Sequence, residues 1–149
     1  MNKILVLDDN KSIQLLYSDE LTEEGYQVVT SGDGSRVMEL IEKESPDLIV
    51  LDTRLGKYDG LDLLQQIRNT YNDLPVILCT AYPTFKRGLK SIAADYYVHK
   101  SSNLKELKLR VKMALEGERA FLSKSNRSRV HERESIPTKQ IMIEWSNLH

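Results

Sequence analysis

Cysteine occurs once among these 149 residues, proline four times and glycine seven times. The lone thiol, Cys79, cannot close an internal disulfide. It stands in an apolar run with no basic neighbour to activate it, so a small buried side chain is its expected role. There is no Walker sequence, and no glycine fingerprint follows the first apolar run. Gly32-Asp33-Gly34 is the only hint of a nucleotide-binding loop. No apolar run reaches membrane-spanning length, and the four apolar residues after Met1-Asn2-Lys3 are too few for a secretory signal. Neither sign of charge dominates: 21 Lys and Arg stand against 22 Asp and Glu, so neither nucleic acid nor an anionic membrane is expected as the main partner. These absences leave a soluble, cytoplasmic protein as the expectation.

What is present is an alternation. Ile4-Leu5-Val6-Leu7, residues 26–30, Leu48-Ile49-Val50-Leu51, Val76-Ile77-Leu78-Cys79 and Tyr96-Tyr97-Val98 read as short buried strands. Helical spacing separates them: Ile13, Leu16, Tyr17 and Leu21 in a helix ending near Gly25; Val37, Leu40 and Ile41; Leu61, Leu64 and Ile67; a weaker pattern over residues 84–94, interrupted by Gly88; and Leu104, Leu107, Val111, Ala114 and Leu115. Ser45-Pro46-Asp47 and Asn72-Asp73-Leu74-Pro75 are breaks. Five β-α units with right-handed crossovers imply an α/β, doubly wound five-stranded parallel sheet in the order 2-1-3-4-5, a flavodoxin-like three-layer sandwich. From about Phe121 the pattern is lost, so residues 1–120 are expected to form one domain and residues 121–149 a linker or mobile tail. The tail's apolar stretch, Ile141-Met142-Ile143-Glu144-Trp145, could dock on the body or on a second copy, making a homodimer.

In such a sheet the residues just past the strand ends meet in one crevice at the switch point. Here they are Asp8, Asp9, Asp52, Thr80 and Lys100. Crowded carboxylates repel one another unless a cation shares their charge. Oxygen ligands without His or Cys suit Mg²⁺, or Mn²⁺ in its place, rather than zinc. Beside such an ion an aspartate can attack phosphorus, with Lys100 and the Thr80 hydroxyl left to contact the phosphoryl oxygens.

Ile4-Leu5-Val6-Leu7-Asp8-Asp9, Leu48-Ile49-Val50-Leu51-Asp52, Asp59-Gly60-Leu61, Thr80-Ala81 and Tyr97-Val98-His99-Lys100 together resemble the receiver domain of two-component response regulators, over about residues 2–118. The resemblance implies that Asp52 accepts a phosphoryl group from a sensor histidine kinase or a phosphotransfer protein. It implies that Asp8, Asp9, Asp52 and the backbone carbonyl of Arg54 hold the metal, that Lys100 pairs with the phosphoryl oxygens, and that Thr80 and Tyr97 switch a face toward a downstream protein target. For Tyr97 a half-buried strand aromatic is an equal alternative. Such a protein is no enzyme in the ordinary sense, though it slowly hydrolyses its own aspartyl phosphate.

The chain departs from the family's pattern in four places. Ser101 follows Lys100 where proline is usual; Leu55-Gly56 replaces the usual Met-Pro, which is expected to loosen the loop carrying Arg54; the stretch from Thr80 to Lys100 is short; and Arg54 and Tyr82 are bulky where hydrolysis is tuned, which predicts a long-lived phosphoryl group. Two other classes compete. A phosphoaspartate hydrolase needs a second aspartate two residues past its nucleophile, but Asn10 and Arg54 stand there. A phosphorylation-independent receiver-fold binding module is the alternative reading. It would be signalled by loss of an acidic ligand or of the phosphoacceptor, and neither is lost.

Overall fold

The five expected strands pair in parallel in one sheet, in the order 2-1-3-4-5 when counted along the chain. The computed structural model describes residues 1–81, 94–100 and 104–117. β1 is Lys3–Leu7, β2 Gln27–Ser31, β3 Leu48–Asp52, β6 Val76–Thr80 and β7 Tyr96–His99; α1 is Lys11–Glu23, α2 Val37–Glu44, α3 Gly60–Thr70 and α4 Lys105–Glu116. Two short strands, β4 (Arg54–Leu55) and β5 (Tyr58–Asp59), pair antiparallel as a separate ribbon. The expected helix over 84–94, Tyr82, Ser101 and the tail lie outside the described residues.

Alternation along β1 makes the three layers. Leu5 and Leu7 join Ile49, Leu51, Leu64 and Ile67 in one core, under α2 and α3. Ile4 and Val6 join Tyr17, Leu21, Leu107 and Val111 in the other, under α1 and α4. Successive strand residues point to opposite faces, so a strand buried on both sides must be apolar throughout, as β1, β3 and β6 are up to their polar ends.

Local chemistry aims each strand end. Asn10 caps α1 by accepting the Ile13 N–H at 3.1 Å, which turns the chain sharply after Asp8-Asp9. α2 stops where Ser45 takes a left-handed φ of 47° ahead of Pro46. Asp47 then binds β1 twice, donating its N–H to the Lys3 carbonyl and accepting the Lys3 N–H, each at 2.7 Å, so β3 starts level with β1. On the other side Asp95 accepts the Val76 N–H at 2.8 Å and the Arg68 guanidinium at 3.2 Å, setting β7 against β6.

Two expectations need correction. The buried stripe of α1 runs through Gln14, Tyr17 and Leu21, whereas Leu16 is 36 % exposed and Leu15 67 %. Leu16 falls on the outer edge of that stripe, and the polar Gln14 takes the inner place because its Nε2 donates to the buried carbonyl of Asp8. The segment after Asp52 is not a loosened loop either. Leu55 is fully buried and pairs with Tyr58, while Arg54 pairs with Asp59.

Candidate functional site

Each carboxylate of the crevice sits at or just beyond the end of a strand. Asp8 follows β1 and is buried; its N–H still donates to the Ser31 carbonyl at 3.1 Å, the last rung toward β2. Asp9 is exposed on the turn into α1. Asp52 ends β3, buried, in register with Cys79 on β6. One oxygen of each residue lies within 4.8 Å of the others.

Lys100 follows β7, and its N–H donates to the Thr80 carbonyl at 2.7 Å, continuing the β6·β7 ladder by one bond. That bond throws its ammonium across the crevice, where it reaches Asp8 Oδ2 at 2.6 Å and Asp52 Oδ2 at 2.9 Å. Backbone N–H groups hold the opposite carboxylate oxygens: Asn10 donates to Asp8 Oδ1 at 2.9 Å and Arg54 to Asp52 Oδ1 at 3.3 Å. Across the chain, the Gly56 N–H donates to Asp9 Oδ2 at 3.1 Å.

Burial pushes the Asp52 carboxyl above its usual value. The Lys100 hydrogen bond and charge oppose this, and the Asp8 charge adds to the rise. For Lys100, burial pulls downward, but hydrogen bonds and attraction from Asp8 and Asp52 outweigh it and the net shift is upward, so the ammonium stays charged at neutral pH. Three carboxylates against one ammonium leave an excess of negative charge. The donors are all hard oxygens, at a spacing one small ion can bridge, and a divalent cation balances the excess. The residues therefore fit Mg²⁺ or Mn²⁺.

Thr80 is buried at the end of β6, one strand over from Asp52. Tyr97 is buried with the α2 and α3 core, beside Leu78. Arg54 sits on the ribbon with its side chain exposed and its N–H on Asp52. Asp8, Asp9, Asp52, Lys100, Thr80 and Arg54 thus gather at one end of the sheet, while Tyr97 points into the core.

Sequence reasoning missed two contributors and left a third unexplained. Gln14 secures the Asp8 carbonyl, and its only signal was a polar residue three before Tyr17 on the buried stripe. Gly56 reaches Asp9 from a turn without any spacing signal. Gly60 belongs to a quoted motif, but its reason is tertiary. A β-carbon there would overlap the Asp52 carbonyl oxygen and the Thr53 backbone, and the Gly60 N–H donates to the Thr53 carbonyl at 2.8 Å. The start of α3, capped by Asp59, is thereby pressed against the strand end that carries Asp52.

The response regulator receiver domain family model matches residues 4–112. Among curated proteins, the alkaline phosphatase synthesis transcriptional regulatory protein PhoP of Bacillus subtilis is 39 % identical over 115 residues, covering 76 % of this chain and 48 % of that protein. The probable transcriptional regulator ycf27 of Porphyra purpurea is 39 % identical over 116 residues, 76 % of this chain and 47 % of its own length. The chain spans about half the length of the curated relatives it matches. Among solved structures, the response regulator TrrA of Thermotoga maritima, in complex with Mg²⁺-BeF, superposes with a TM-score of 0.74 at 40 % identity, over 77 % of this chain and all of that one. TrrA in complex with the histidine kinase ThkA gives 0.72 at 39 % identity, over 77 % and 99 %. No helix among the described residues is long and apolar enough to cross a membrane.

Proposed function

The chain belongs to the response regulator receiver family, and on that premise we propose that Asp52 accepts a phosphoryl group from a sensor histidine kinase or a phosphotransfer protein. The observation that carries this reading is the pairing of a buried Asp52 carboxylate with Lys100 at 2.9 Å, beside two further aspartates. The complex of TrrA with a histidine kinase supports the choice of donor.

An Asp52 carboxylate oxygen attacks phosphorus on the donor's phosphohistidine. The new P–O bond makes an acyl phosphate, the P–N bond breaks, and its electron pair returns to the imidazole. Asp8, Asp9, Asp52 and the Arg54 carbonyl would hold Mg²⁺ or Mn²⁺, which would supply charge neutralisation for the phosphoryl oxygens. Lys100, already at the site through Asp8, offers its ammonium to another oxygen, and the Thr80 hydroxyl donates to a third. Only contacts that differ between the two states shift the conformation, so the Thr80 hydroxyl, which reaches the phosphoryl group, is the trigger and Tyr97 in the core repacks in response. Arg54, two residues after Asp52 and exposed, crowds the approach of water, so the acyl phosphate is lost slowly.

In this reading residues 1–120 are the receiver and residues 121–149 a linker or tail. The protein works in the cytoplasm, and the output is a protein contact, with a downstream target or a second copy, rather than direct nucleic-acid binding. The test is intact mass after incubation with a small-molecule phosphodonor, with and without Mg²⁺, for the parent and Asp52→Asn. A Mg²⁺-dependent gain of one phosphoryl group that disappears in Asp52→Asn is expected. No gain, under conditions that label a control receiver, would favour a phosphorylation-independent binding module.

A further inference from the structure

Every carboxylate of the acidic site is held by a backbone N–H, but not in the same way. Asn10 serves Asp8 and Arg54 serves Asp52, each from two residues further along the chain. Asp9 receives its N–H from Gly56, 47 residues away. That bond is the one its carboxylate receives among the described residues, and Asp9 is the exposed member of the trio. Unheld, its side chain would be free to turn to solvent.

The donor is built into the fold. Gly56 has φ +63° and begins the two-residue turn of the β4·β5 ribbon, a place where glycine is favoured for its backbone direction. A β-carbon there would meet nothing within 4 Å, so space is not the reason for glycine. The ribbon is anchored on both sides of the turn. Leu55 is fully buried, the Tyr58 ring lies so close over Gly34 that a β-carbon there would clash, and Asp59 caps α3. An N–H on so fixed a turn points in a set direction.

We propose that Gly56 is a positioning residue for the divalent cation: its N–H pins the Asp9 carboxylate against Asp8 and Asp52, so the ligand set is assembled before the ion arrives. This rests on the reading that the three aspartates hold a cation. Preorganised ligands bind more tightly because less side-chain freedom is lost on binding. A proline at this position has no N–H to give and also cannot take the left-handed φ, whereas asparagine keeps the N–H and tolerates that φ.

The experiment is calorimetric titration of the full chain with Mg²⁺ and with Mn²⁺, for the parent, Gly56→Asn and Gly56→Pro, each checked for folding by urea unfolding in EDTA. Binding about tenfold weaker in Gly56→Pro, with Gly56→Asn near the parent, is expected. Equal affinity in all three, or equal loss in both variants, would overturn the proposal. No binding to the parent would instead remove the cation reading itself. Because proline also reshapes the turn, the amide proton shift of Gly56 decides whether the lost N–H is the cause, compared by NMR between the metal-free parent and Asp9→Asn. A large change is expected, and an unchanged shift would overturn the proposal.

Discussion

Lys100 reaches Asp8 at 2.6 Å, closer than its 2.9 Å approach to Asp52, so the ammonium is shared between a proposed metal ligand and the proposed phosphoacceptor. The lysine is the positive charge that holds the carboxylates together before any ion or phosphoryl group is present. Whatever cation binds Asp8 competes with it and frees it toward Asp52.

That sharing predicts a substitution whose cost depends on metal. Lys100→Met should destabilise the metal-free protein by about 1–3 kcal/mol, since the buried Asp8 and Asp52 lose their counter-charge. Saturating Mg²⁺ should recover part of the loss, because it restores positive charge among the carboxylates. Urea unfolding of parent and variant, with and without Mg²⁺, measures both; a cost independent of Mg²⁺ would contradict the sharing.

Gly60→Ala should be costly although the residue is small. Its new β-carbon would overlap the Asp52 carbonyl and the Thr53 backbone, and backbone cannot swing aside as a side chain can. A loss of about 1–3 kcal/mol is expected, with slower labelling of Asp52 by a phosphodonor. Denaturation and timed intact-mass measurements read the two effects.

Gln14→Met keeps length and apolar volume but removes the donor to the buried Asp8 carbonyl. The orphaned oxygen should cost about 1–3 kcal/mol. Gln14→Leu should cost at least as much, and an unfolding midpoint equal to the parent's in both variants would show that water replaces the amide.

Cys79 should be inert in the folded protein. It is 1 % exposed, and burial pushes its thiol up to about 12 from the usual 9.0. Between those values the folded chain holds a proton that the unfolded chain releases, so stability from this group falls as pH rises above 9.0. A thiol reagent at pH 8 should label the protein only after denaturant is added; rapid labelling of the native state would contradict this.

The fold was legible where chemistry is local. Continuous apolar runs closed by aspartate, threonine or lysine identified β1, β3, β6 and β7 to within a residue or so, and Ser45-Pro46 marked the break before β3. Misreadings arose where a partner far along the chain decides. Gln14 displaced Leu16 from the buried face of α1 because a backbone carbonyl needed a donor. Leu55-Gly56 suggests a loosened loop around Arg54, yet residues 54–59 form a ribbon, because its order depends on burying Leu55, on Tyr58 packing over Gly34 and on the Gly56 bond to Asp9.

The sequence by itself determined the α/β class, the strand order and the set of Asp8, Asp9, Asp52, Thr80 and Lys100, since periodicity and strand-end position are properties of neighbouring residues. Tertiary structure decided how those groups are charged and aimed. Lys100 is split between two aspartates, Asp9 is held from a distant turn and Gly60 is pressed against the Asp52 backbone, because each of these depends on a distance of a few ångströms between segments that only folding brings together.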